Sequence, residues 1–364
     1  MKIFKIVLTG GPCSGKSEIM KKIIKYYSER EDCKVFPVAE TASEVLNSNI
    51  KFIEMDNPIN FQDIILDRQL NKENTINKGI QHTRLNDINL VVFDRGIIDN
   101  KAYLQNQQQF DYLLDKYNLK ELSILDNYDL VIDLISLATV HPDKYECQTN
   151  EQRYEDVETA KNIDRKTTNA WLGHKNLKVV YPTNSIDEKF QIVSNYINDL
   201  INNKQKSEKE TYLIEECGAL LEFFDDNNSK LIEIEDIYFE QFNDNKYIAR
   251  KRKYKDSETY SFLLKNNKHE ILMDKQIDKN SYELMKNLYS IKYVINKREL
   301  SFFNGKNIYK IGFYDDFTIL EVEKNNCLDK IVIPSFINAI EKIDDLESFY
   351  NKKRDSFTKK KKVC

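Results

Sequence analysis

Eight residues near the start of the chain place glycines, a lysine and a serine where a phosphate-binding loop requires them. The segment fits the pattern G-x-x-x-x-G-K-[ST]. It consists of Gly10, Gly11, Pro12, Cys13, Ser14, Gly15, Lys16 and Ser17. A strand-like apolar run precedes the segment and a helical period follows it, so backbone N–H groups and a positive helix end converge on an anion. The alternative is a chance match in an ordinary strand-to-helix turn, which this context argues against.

The loop predicts a site for ATP or GTP together with Mg²⁺. We expect Lys16 to reach the β- and γ-phosphates of the nucleotide. We expect the Ser17 hydroxyl to hold Mg²⁺. The motif therefore indicates a nucleotide-binding protein.

A carboxylate and a guanidinium follow the apolar strand formed by residues 90–93. Asp94 would lie beside the phosphate-binding loop, where a carboxylate can hold Mg²⁺ or its water, or accept a proton. Arg95 can donate paired hydrogen bonds to a phosphate. A structural ion pair between the two is the alternative, although adjacent residues on a strand point to opposite sides. Lys16, Asp94 and Arg95 are therefore candidate catalytic residues, and Asp94 is a candidate metal ligand with Ser17.

A second set of polar residues is predicted to bind a small-molecule phosphoryl acceptor, with Arg95. Glu40 follows a predicted strand, and ligands of an open parallel sheet bind beyond the carboxyl ends of its strands. A solvated acid at a helix N-terminus explains the position of Glu40 equally well. Asp99 and Tyr103 are spaced i, i+4 on one face of a predicted helix.

Two arginines farther along the chain are candidates for a lid over the transferring phosphoryl group. Arg153 precedes a predicted helix at about residues 154–171, and Arg165 lies within it. The alternative is that each arginine is a solvated surface residue. Pro182 to Asn184 follow the last predicted strand, where we expect the nucleotide base.

The composition of the 364 residues is that of a soluble globular protein, with 31% charged and 41% hydrophobic residues. The net charge of −4 argues against a protein that binds nucleic acid over its whole surface. No apolar run approaches the roughly 20 residues that span a bilayer, and no signal peptide is evident. The six cysteines form no C-x-x-C pair, so we expect reduced thiols, no disulfides and a cytoplasmic location.

The hydrophobic period changes after a polar linker that follows residue 203. Six segments alternate polar and apolar residues and predict antiparallel strands, at 231–239, 247–252, 259–265, 291–300, 307–313 and 318–323. Every second side chain of a barrel strand points inward, so Arg250 would share a face with Arg252, and Glu321 with Glu323. Facing inward, these residues would form an anion and metal site. Facing outward, they would belong to an ordinary solvated surface.

The predicted fold class is an α/β P-loop NTPase domain with a parallel sheet, followed by an α+β antiparallel domain. We expect the first domain at residues 1–203, the second at 208–355, and a basic tail at 356–364. Basic tails of this kind are usually disordered.

The first domain resembles the P-loop family shared by the kinase part of NadR proteins and the translocation-defect proteins of photoreceptors. The matching pieces are the phosphate-binding loop, residues 39–42, residues 93–99, and Arg153 through Asp164 to Ala170-Trp171-Leu172-Gly173-His174. The Asp94-Arg95 pair is also similar to that of thymidylate kinases, where the arginine orients the acceptor phosphate. The resemblance implies a kinase with a nucleoside-type acceptor.

The second domain resembles CYTH domains, which have a triphosphate-tunnel fold and would make this part a CYTH-like β-barrel. The resemblance implies that Arg250, Arg252, Lys265 and Arg298 bind an anion, and that Glu321 and Glu323 bind metal. This sequence departs from the family pattern at two positions that concern metal binding. The opening E-x-E-x-K of that family lacks its lysine at 208–212, and Gly312 replaces the usual aspartate. Binding of polyphosphate is therefore expected more than hydrolysis.

Three functions follow from these observations. The first is a kinase that transfers the γ-phosphate of ATP or GTP to a nucleoside, nucleotide or similar acceptor, with a second domain that binds polyphosphate. The second is a GTP-binding switch or adaptor that engages anionic lipids or protein partners; a base-reading N-K-x-D motif is absent from residues 1–203. The third is a triphosphate hydrolase acting in the tunnel. The acceptor-site candidates favour the kinase.

Overall fold

Two sheets organise the chain in the computed structural model, one parallel with five strands and one antiparallel with nine. The structure describes residues 1–51, 55, 57–145, 156–203, 209–215, 228–240, 245–267, 270–323, 331–346 and 348–353. The predicted fold class, an α/β domain followed by an antiparallel domain, is confirmed. The linker at 204–208 and most of the basic tail lie outside the described residues.

The α/β domain alternates strands with helices. Its strands are β1 (Lys2–Thr9), β2 (Cys33–Val38), β3 (Ile88–Asp94), β4 (Leu130–Leu134) and β5 (Leu177–Val180). Its helices are α1 (Lys16–Ser28), α2 (Thr41–Asn47), α3 (Pro58–His82), α4 (Gln107–Lys116), α5 (Glu121–Asp126), α6 (Leu137–Val140), α7 (Val157–Ala170) and α8 (Ile186–Ile201). Short 3₁₀ helices occupy Ile97–Tyr103 and Pro142–Lys144.

The parallel sheet has the strand order β2-β3-β1-β4-β5, with β1 in the centre. Its strands are apolar runs because both of their faces are covered by helices. One face packs on α1 and α8, and the other packs on α3, α4 and the segment around Trp171. The carboxyl ends of β1, β3 and β4 therefore meet at the end of the sheet where the phosphate-binding loop begins.

The segment after Arg95 differs from the helix that the sequence predicted. Residues Ile97–Tyr103 form a 3₁₀ helix, in which about three residues make a turn. The i, i+4 spacing of Asp99 and Tyr103 therefore does not place them on one face as it would in an α-helix. The Asp99 carboxylate turns back to accept a hydrogen bond from the Gly96 N–H at 2.6 Å, and it is held there by two distant donors, the Thr9 hydroxyl and the Trp171 indole N–H.

The antiparallel domain contains more strands than the alternating pattern indicated. They are β6 (Lys209–Ile214), β7 (Ser229–Phe239), β8 (Lys246–Tyr254), β9 (Ser257–Lys265), β10 (Ile271–Ile277), β11 (Ile291–Asn304), β12 (Asn307–Phe313), β13 (Thr318–Glu323) and β14 (Ala339–Ile343). Helix α9 (Lys279–Leu288) lies between β10 and β11. The order is β10-β9-β8-β7-β11-β12-β13-β6-β14.

Strand register divides the antiparallel sheet into two faces of different chemistry. One face is apolar and packs beneath α9 and the segment 331–337. The other, which we call the charged face, carries Lys209, Asp236, Arg250, Arg252, Lys265, Asp274, Lys297, Glu299, Lys310, Glu321 and Glu323. Residues directly opposite each other in an antiparallel pair point to the same face, which fixes this assignment.

The charged face is also the face against which the α/β domain packs. Leu122 of α5 inserts among Ile232, Ile234 and Tyr254. Beside this apolar contact, the ammonium group of Lys230 bonds to the Glu121 carboxylate, and both side chains are almost completely buried. Although burial favours a neutral acid, Lys230 and neighbouring lysines lower the pKa of Glu121 to about 2. The ion pair is therefore charged and enclosed between the two domains.

Gly173 allows the close approach of the two domains at this junction. Its φ of +84° lies in the left-handed region, and a Cβ there would lie 2.8 Å from side-chain atoms of Ile232 and Lys230. Its carbonyl oxygen accepts a hydrogen bond from Arg252. The glycine of the Trp-Leu-Gly-His segment is thus an interface residue.

None of the helices within the described ranges is both long and apolar enough to cross a membrane.

The buried Lys230–Glu121 pair generates a stability prediction. Lys230→Met removes the nearest cation from the buried Glu121 and leaves it with Lys101 at 3.5 Å and the neutral Gln107 amide at 3.1 Å, so the free energy of unfolding should fall by about 3 kcal/mol or more. The matched control is Lys253→Met, which breaks the exposed pair to Glu233 and should cost less than about 1 kcal/mol. Urea unfolding followed by circular dichroism measures both, and equal losses would contradict the assignment.

Candidate functional site

The phosphate-binding loop joins the end of β1 to the first residue of α1, as its sequence predicted. The Lys16 ammonium group donates to the carbonyl oxygens of Gly10 and Gly11 at 2.9 Å and to the Ser14 hydroxyl at 3.1 Å. Burial, together with the charge of Arg95, lowers the pKa of Lys16 to about 8. A phosphate would offer this lysine a stronger partner than the carbonyls, because charge-assisted hydrogen bonds exceed neutral ones.

A buried carboxylate from α7 holds the loop in shape. Asp164 accepts hydrogen bonds from the Gly11 N–H at 2.9 Å and the Ser136 N–H at 3.1 Å, and from the Thr139 hydroxyl at 2.6 Å. A Cβ on Gly11 would lie 2.6 Å from the same carboxylate, so this position has room only for glycine. The Lys189 ammonium of α8 supports the loop from below by donating to the Ser14 carbonyl at 2.9 Å.

A second buried acid lies at the end of β4, next to Asp164. Asp133 accepts a hydrogen bond from the Thr168 hydroxyl at 2.6 Å, and its other oxygen has no partner among the described residues. Burial and the neighbouring Asp164 carboxylate raise the pKa of Asp133 to about 8. Burial next to a second carboxylate therefore favours the protonated form of Asp133.

Asp94 and Arg95 reach the cavity from the end of β3, as their position on the strand predicted. Arg95 has a φ of +70°, and its Nε donates to the Glu40 carboxylate at 2.8 Å. The Asp94 Oδ1 and the Arg95 Nη1 atoms are buried and lack a hydrogen-bond partner within the described part of the chain. Burial raises the pKa of Asp94. Although burial opposes ionisation of Glu40, the charges of Arg95 and Lys16 lower its pKa to about 2.

Asp99 has a different role from the acceptor binding that the sequence suggested. Its carboxylate is buried and accepts hydrogen bonds from the Thr9 hydroxyl, the Gly96 N–H and the Trp171 indole N–H. Both oxygens are therefore engaged within the protein, and burial raises the pKa of the group. Asp99 borders the cavity but holds its walls together, so an acceptor-binding role is not supported by this geometry.

The predicted acceptor residues and the loop residues from Pro12 to Ser17 line a single cavity of about 1310 Å³, whereas Gly10 and Gly11 do not border it. The cavity extends from the phosphate-binding loop to a wall made by α2, α3 and the 3₁₀ helix Ile97–Tyr103. Its lining includes Pro12, Cys13, Ser14, Gly15, Lys16, Ser17, Glu40, Phe61, Gln62, Ile65, Gln69, Asp94, Arg95, Asp99, Asn100 and Tyr103. Ligand cavities usually measure about 300–1,000 Å³, so this one has room for a nucleotide and a second small molecule.

Tyr103 contributes the aromatic wall beside Arg95. The guanidinium carbon of Arg95 lies 5.4 Å from the centre of the Tyr103 ring, within the range of a cation–π contact. Tyr103 therefore orients Arg95 as well as bordering the cavity.

A smaller cavity of about 490 Å³ lies next to the first, at the position predicted for the nucleotide base. It is lined by Leu137, His141, Pro182, Thr183, Asn184 and Glu188, and Leu137 also borders the main cavity. The position of residues 182–184 beyond the end of β5 is the one that the sequence predicted.

Of the two arginines predicted to form a lid, the one that the structure describes does not border the cavity. Arg153 lies outside the described residues. Arg165 is exposed, donates to Asn162 at 3.2 Å, and is not part of the cavity lining. The residues of α7 that do line the cavity are Thr159, Ile163 and Lys166, on the opposite side of the helix. A difference of one residue rotates a helical side chain by about 100°, so Lys166 faces the cavity where Arg165 does not.

The residues predicted to hold Mg²⁺ fit a hard cation. Ser17 supplies a hydroxyl and Asp94 a carboxylate, and both border the cavity. Oxygen ligands of this kind suit Mg²⁺, which also binds substrate phosphates and waters. The Asp94 Oδ1 atom, which has no hydrogen-bond partner in the part of the chain that the structure describes, fits the role of such a ligand.

The predicted cations of the second domain divide between two faces. Arg250, Arg252 and Lys265 lie on the charged face with Glu321 and Glu323, as alternation predicted. Arg298 lies on the opposite face, where its guanidinium stacks on Phe313 at 5.6 Å. The register of β11 places Lys297 and Glu299 on the charged face instead.

Most groups of the charged face already have partners of opposite charge. Arg250 forms two hydrogen bonds of 2.6 Å with Asp236. Arg252 bonds to Asp126 of the α/β domain. Both glutamates are also paired, since Lys209 lies 3.9 Å from Glu321 and Lys178 bonds to Glu323. No group of three or more metal-ligating side chains occurs among the described residues.

Sequence reasoning did not single out Asp164, Lys189, Asp133 or the amide side chains of the cavity wall. A polar residue within the apolar stripe of a helix was the available signal, because Asp164 and Lys189 lie on the buried faces of α7 and α8. That signal shows burial but does not identify the partner, which is more than 100 residues away for Asp164 and Gly11.

A family model described as an AAA domain matches residues 5–189, just over half of the chain. The match includes the phosphate-binding loop, the Asp94-Arg95 pair and Asp164. No curated protein matches the chain significantly.

Similar solved structures include two thymidylate kinases and an inorganic triphosphatase. The kinase from Candida albicans has 16% identity and a TM-score of 0.38, over 55% of this chain and 92% of the other. The kinase from Ehrlichia chaffeensis has 14% identity and a TM-score of 0.37, over 54% and 100%. The triphosphatase has 14% identity and a TM-score of 0.28, over 39% and 91%. Likenesses at this level do not bear on activity.

The raised pKa of Asp133 predicts a pH-dependent gain in stability for Asp133→Asn. A carboxyl with a folded-state pKa of about 8 and an ordinary value of 3.8 binds a proton on folding between these values. Wild-type stability should therefore fall as pH rises through that window, by up to about 1.4 kcal/mol per pH unit relative to the variant. Urea unfolding at pH 5, 6, 7 and 8 measures the difference, and a constant difference would contradict the assignment.

Proposed function

Since the chain belongs to the AAA domain family, we propose that it is a nucleotide-dependent kinase. It transfers the γ-phosphate of ATP or GTP to a nucleoside, nucleotide or similar small acceptor. The observation that carries the proposal is the shared cavity, in which the phosphate-binding loop faces a carboxylate oxygen of Asp94 and a guanidinium nitrogen of Arg95 that have no hydrogen-bond partner among the described residues. A site that only binds nucleotide would not require the Asp94 carboxylate and the Arg95 guanidinium opposite the loop.

The residues of the cavity take complementary parts in the transfer. The loop N–H groups and Lys16 bind the β- and γ-phosphates, and Mg²⁺, held by Ser17 and Asp94, would neutralise phosphate charge. Asp94 accepts the proton of the acceptor hydroxyl, whose oxygen forms a bond to the γ-phosphorus. The bond from that phosphorus to the bridging oxygen breaks, and the nucleoside diphosphate leaves. Arg95, oriented by Glu40 and Tyr103, stabilises the charge on the transferring group.

The switch or adaptor remains the alternative for this domain. A switch needs no acceptor site. The kinase is favoured because the cavity extends beyond the loop, and because Asp94 and Arg95 border this additional volume. The basic tail on which lipid engagement rests lies almost entirely outside the described residues.

The kinase proposal predicts that Asp94→Asn keeps nucleotide binding and loses transfer. The amide keeps the shape of the carboxylate but cannot accept the acceptor proton, and a general base typically contributes 10²–10⁴-fold to the rate. The matched control is Asp87→Asn, an exposed change just before the same strand. Calorimetry with ATP and GTP and turnover over a panel of nucleosides and nucleotides measure the two effects. Lys16→Ala should instead weaken nucleotide binding at least tenfold.

Tight nucleotide binding by the wild type without transfer to any acceptor in the panel would reject the kinase and favour the switch.

We further propose that the charged face of the antiparallel domain binds a triphosphate or polyphosphate. Support comes from Lys310, which lies among the carboxylates of this face and has no ion pair or hydrogen bond within the described ranges. Burial lowers its pKa, so an anion would stabilise its charged form. Hydrolysis by metal is less well supported, because Lys209 and Lys178 engage Glu321 and Glu323.

This proposal predicts that tripolyphosphate raises the melting temperature of Lys16→Ala protein, in which the phosphate-binding loop is impaired. Ligand at 100 times its Kd stabilises a protein by about 2.7 kcal/mol. Adding Lys310→Met should remove most of the increase. Lys251→Met, on the opposite face of β8, is the matched control and should leave the increase intact. An increase that persists in the Lys310→Met protein, or none in either, would reject the site.

A further inference from the structure

A group of exposed apolar side chains lies on α9 and on the start of β11, far from the main cavity in the α/β domain. Its members are Leu284 (57% exposed), Leu288 (67%), Tyr289 (48%), Ile291 (43%) and Val294 (37%). We call these five residues the α9 patch. A single exposed apolar residue is ordinary on a protein surface, but several together mark a surface that another molecule covers.

The two leucines lie on one side of α9, because residues four apart on a helix are neighbours. Tyr282 is fully buried and packs the helix on the sheet. The charges of α9 lie on another side, where Glu283 is 3.9 Å from Lys286 and acts on the charge of Lys251 in β8. The leucine side of the helix is therefore uncharged.

Two residues of β11 extend the patch beside the helix. Ile291 is opposite Phe239 in the register of β7 and β11, and Val294 is opposite Ile237. Directly opposite residues point to the same face, and both partners on β7 pack beneath α9. Tyr289 connects the helix to the strand, since its ring centre lies 5.8 Å from that of Phe239. The five side chains of the α9 patch therefore form one surface.

The chemistry of the α9 patch fits a protein surface better than a membrane or a charged ligand. A helix that lies on a membrane carries several lysines and arginines on its polar side, whereas one of the two lysines of α9 is paired with Glu283. Residues 287–291 include no charged residue. The centres of protein–protein interfaces are likewise depleted of charge and enriched in aromatic residues.

The size of the α9 patch is that of one half of a small symmetric interface. From their exposed fractions, the five side chains present about 500 Å² of surface, which is large for one apolar patch. An interface that is stable in solution buries at least about 1,000 Å² in total, counted over both partners. Two copies of the α9 patch placed face to face reach this total. In a two-fold dimer the same patch serves both partners, so an apolar patch is complementary to itself.

We infer that the α9 patch is the interface of a homodimer, in which α9 packs against α9 of a second copy of this chain across a two-fold axis. Leu284 and Leu288 of both chains form the centre of the contact. Tyr289, Ile291 and Val294 surround them. The contact lies on the antiparallel domain, so the inference is independent of the proposed kinase function.

The mass of the full-length protein in solution tests the dimer. In sedimentation equilibrium between roughly 1 and 100 µM, the mass of the wild type should rise from that of one chain towards that of two. Leu284→Glu combined with Leu288→Glu places carboxylates at the centre of the contact, where burial disfavours them. The dissociation constant of the dimer should rise at least tenfold in this double variant. Tyr112→Glu, which changes an exposed aromatic residue of α4, is the matched control and should behave as the wild type.

Hydrogen exchange locates the contact independently of the mass. Amides of α9 and of the start of β11 should exchange more slowly at 100 µM than at 1 µM in the wild type and in the Tyr112→Glu protein, but not in the double variant. Equal melting temperatures at the lowest concentration check that the double variant folds. A wild type that stays monomeric throughout would overturn the inference. A dimer that persists in the double variant would also overturn it, because its interface would lie elsewhere.

Discussion

The cavity end of the α/β domain depends on the buried carboxylate of Asp99. This carboxylate accepts hydrogen bonds from the end of β1, the start of the 3₁₀ helix and the Trp171 indole, and so joins three segments that are distant in the sequence. Because the carboxylate holds the turn after β3, Arg95 keeps its left-handed backbone and the guanidinium points towards Glu40. The loss of one donor would leave an oxygen of this buried carboxylate with one partner fewer, which costs more than the loss of a surface hydrogen bond.

The segment around Trp171 connects this catalytic turn to the second domain. The indole packs against Gly96, where a Cβ would lie 2.8 Å from the ring. Two residues later, the Gly173 carbonyl oxygen accepts a hydrogen bond from Arg252 of the antiparallel sheet. His174 is buried, contacts the Tyr128 carbonyl at 3.0 Å, and has a pKa lowered to about 3, chiefly by burial. A neutral histidine here packs between the turn that carries Arg95 and the domain interface.

The charged face of the antiparallel domain carries cations together with the carboxylates that neutralise them. Arg252 and Glu323 are engaged by the α/β domain, so they act at the interface between domains as well as at the face itself. Arg250 and Lys297 are each paired with a carboxylate of the same sheet. An anion that binds this face must compete with those carboxylates, and its affinity will depend on the difference between two sets of ionic contacts rather than on the number of cations.

The sequence alone determined the phosphate-binding loop, the alternation of strands and helices, and the positions of Asp94 and Arg95, because these features depend on neighbouring residues and on local periodicity. Only the tertiary structure decided which residues support them. Asp164 contacts Gly11 across 153 positions, and Arg252 contacts Asp126 across 126. The 3₁₀ geometry of 97–103 and the outward position of Arg298 were likewise decided by a long-range contact and by strand register. A local pattern specifies a residue's conformation and burial, whereas its partner is set by how the whole chain packs.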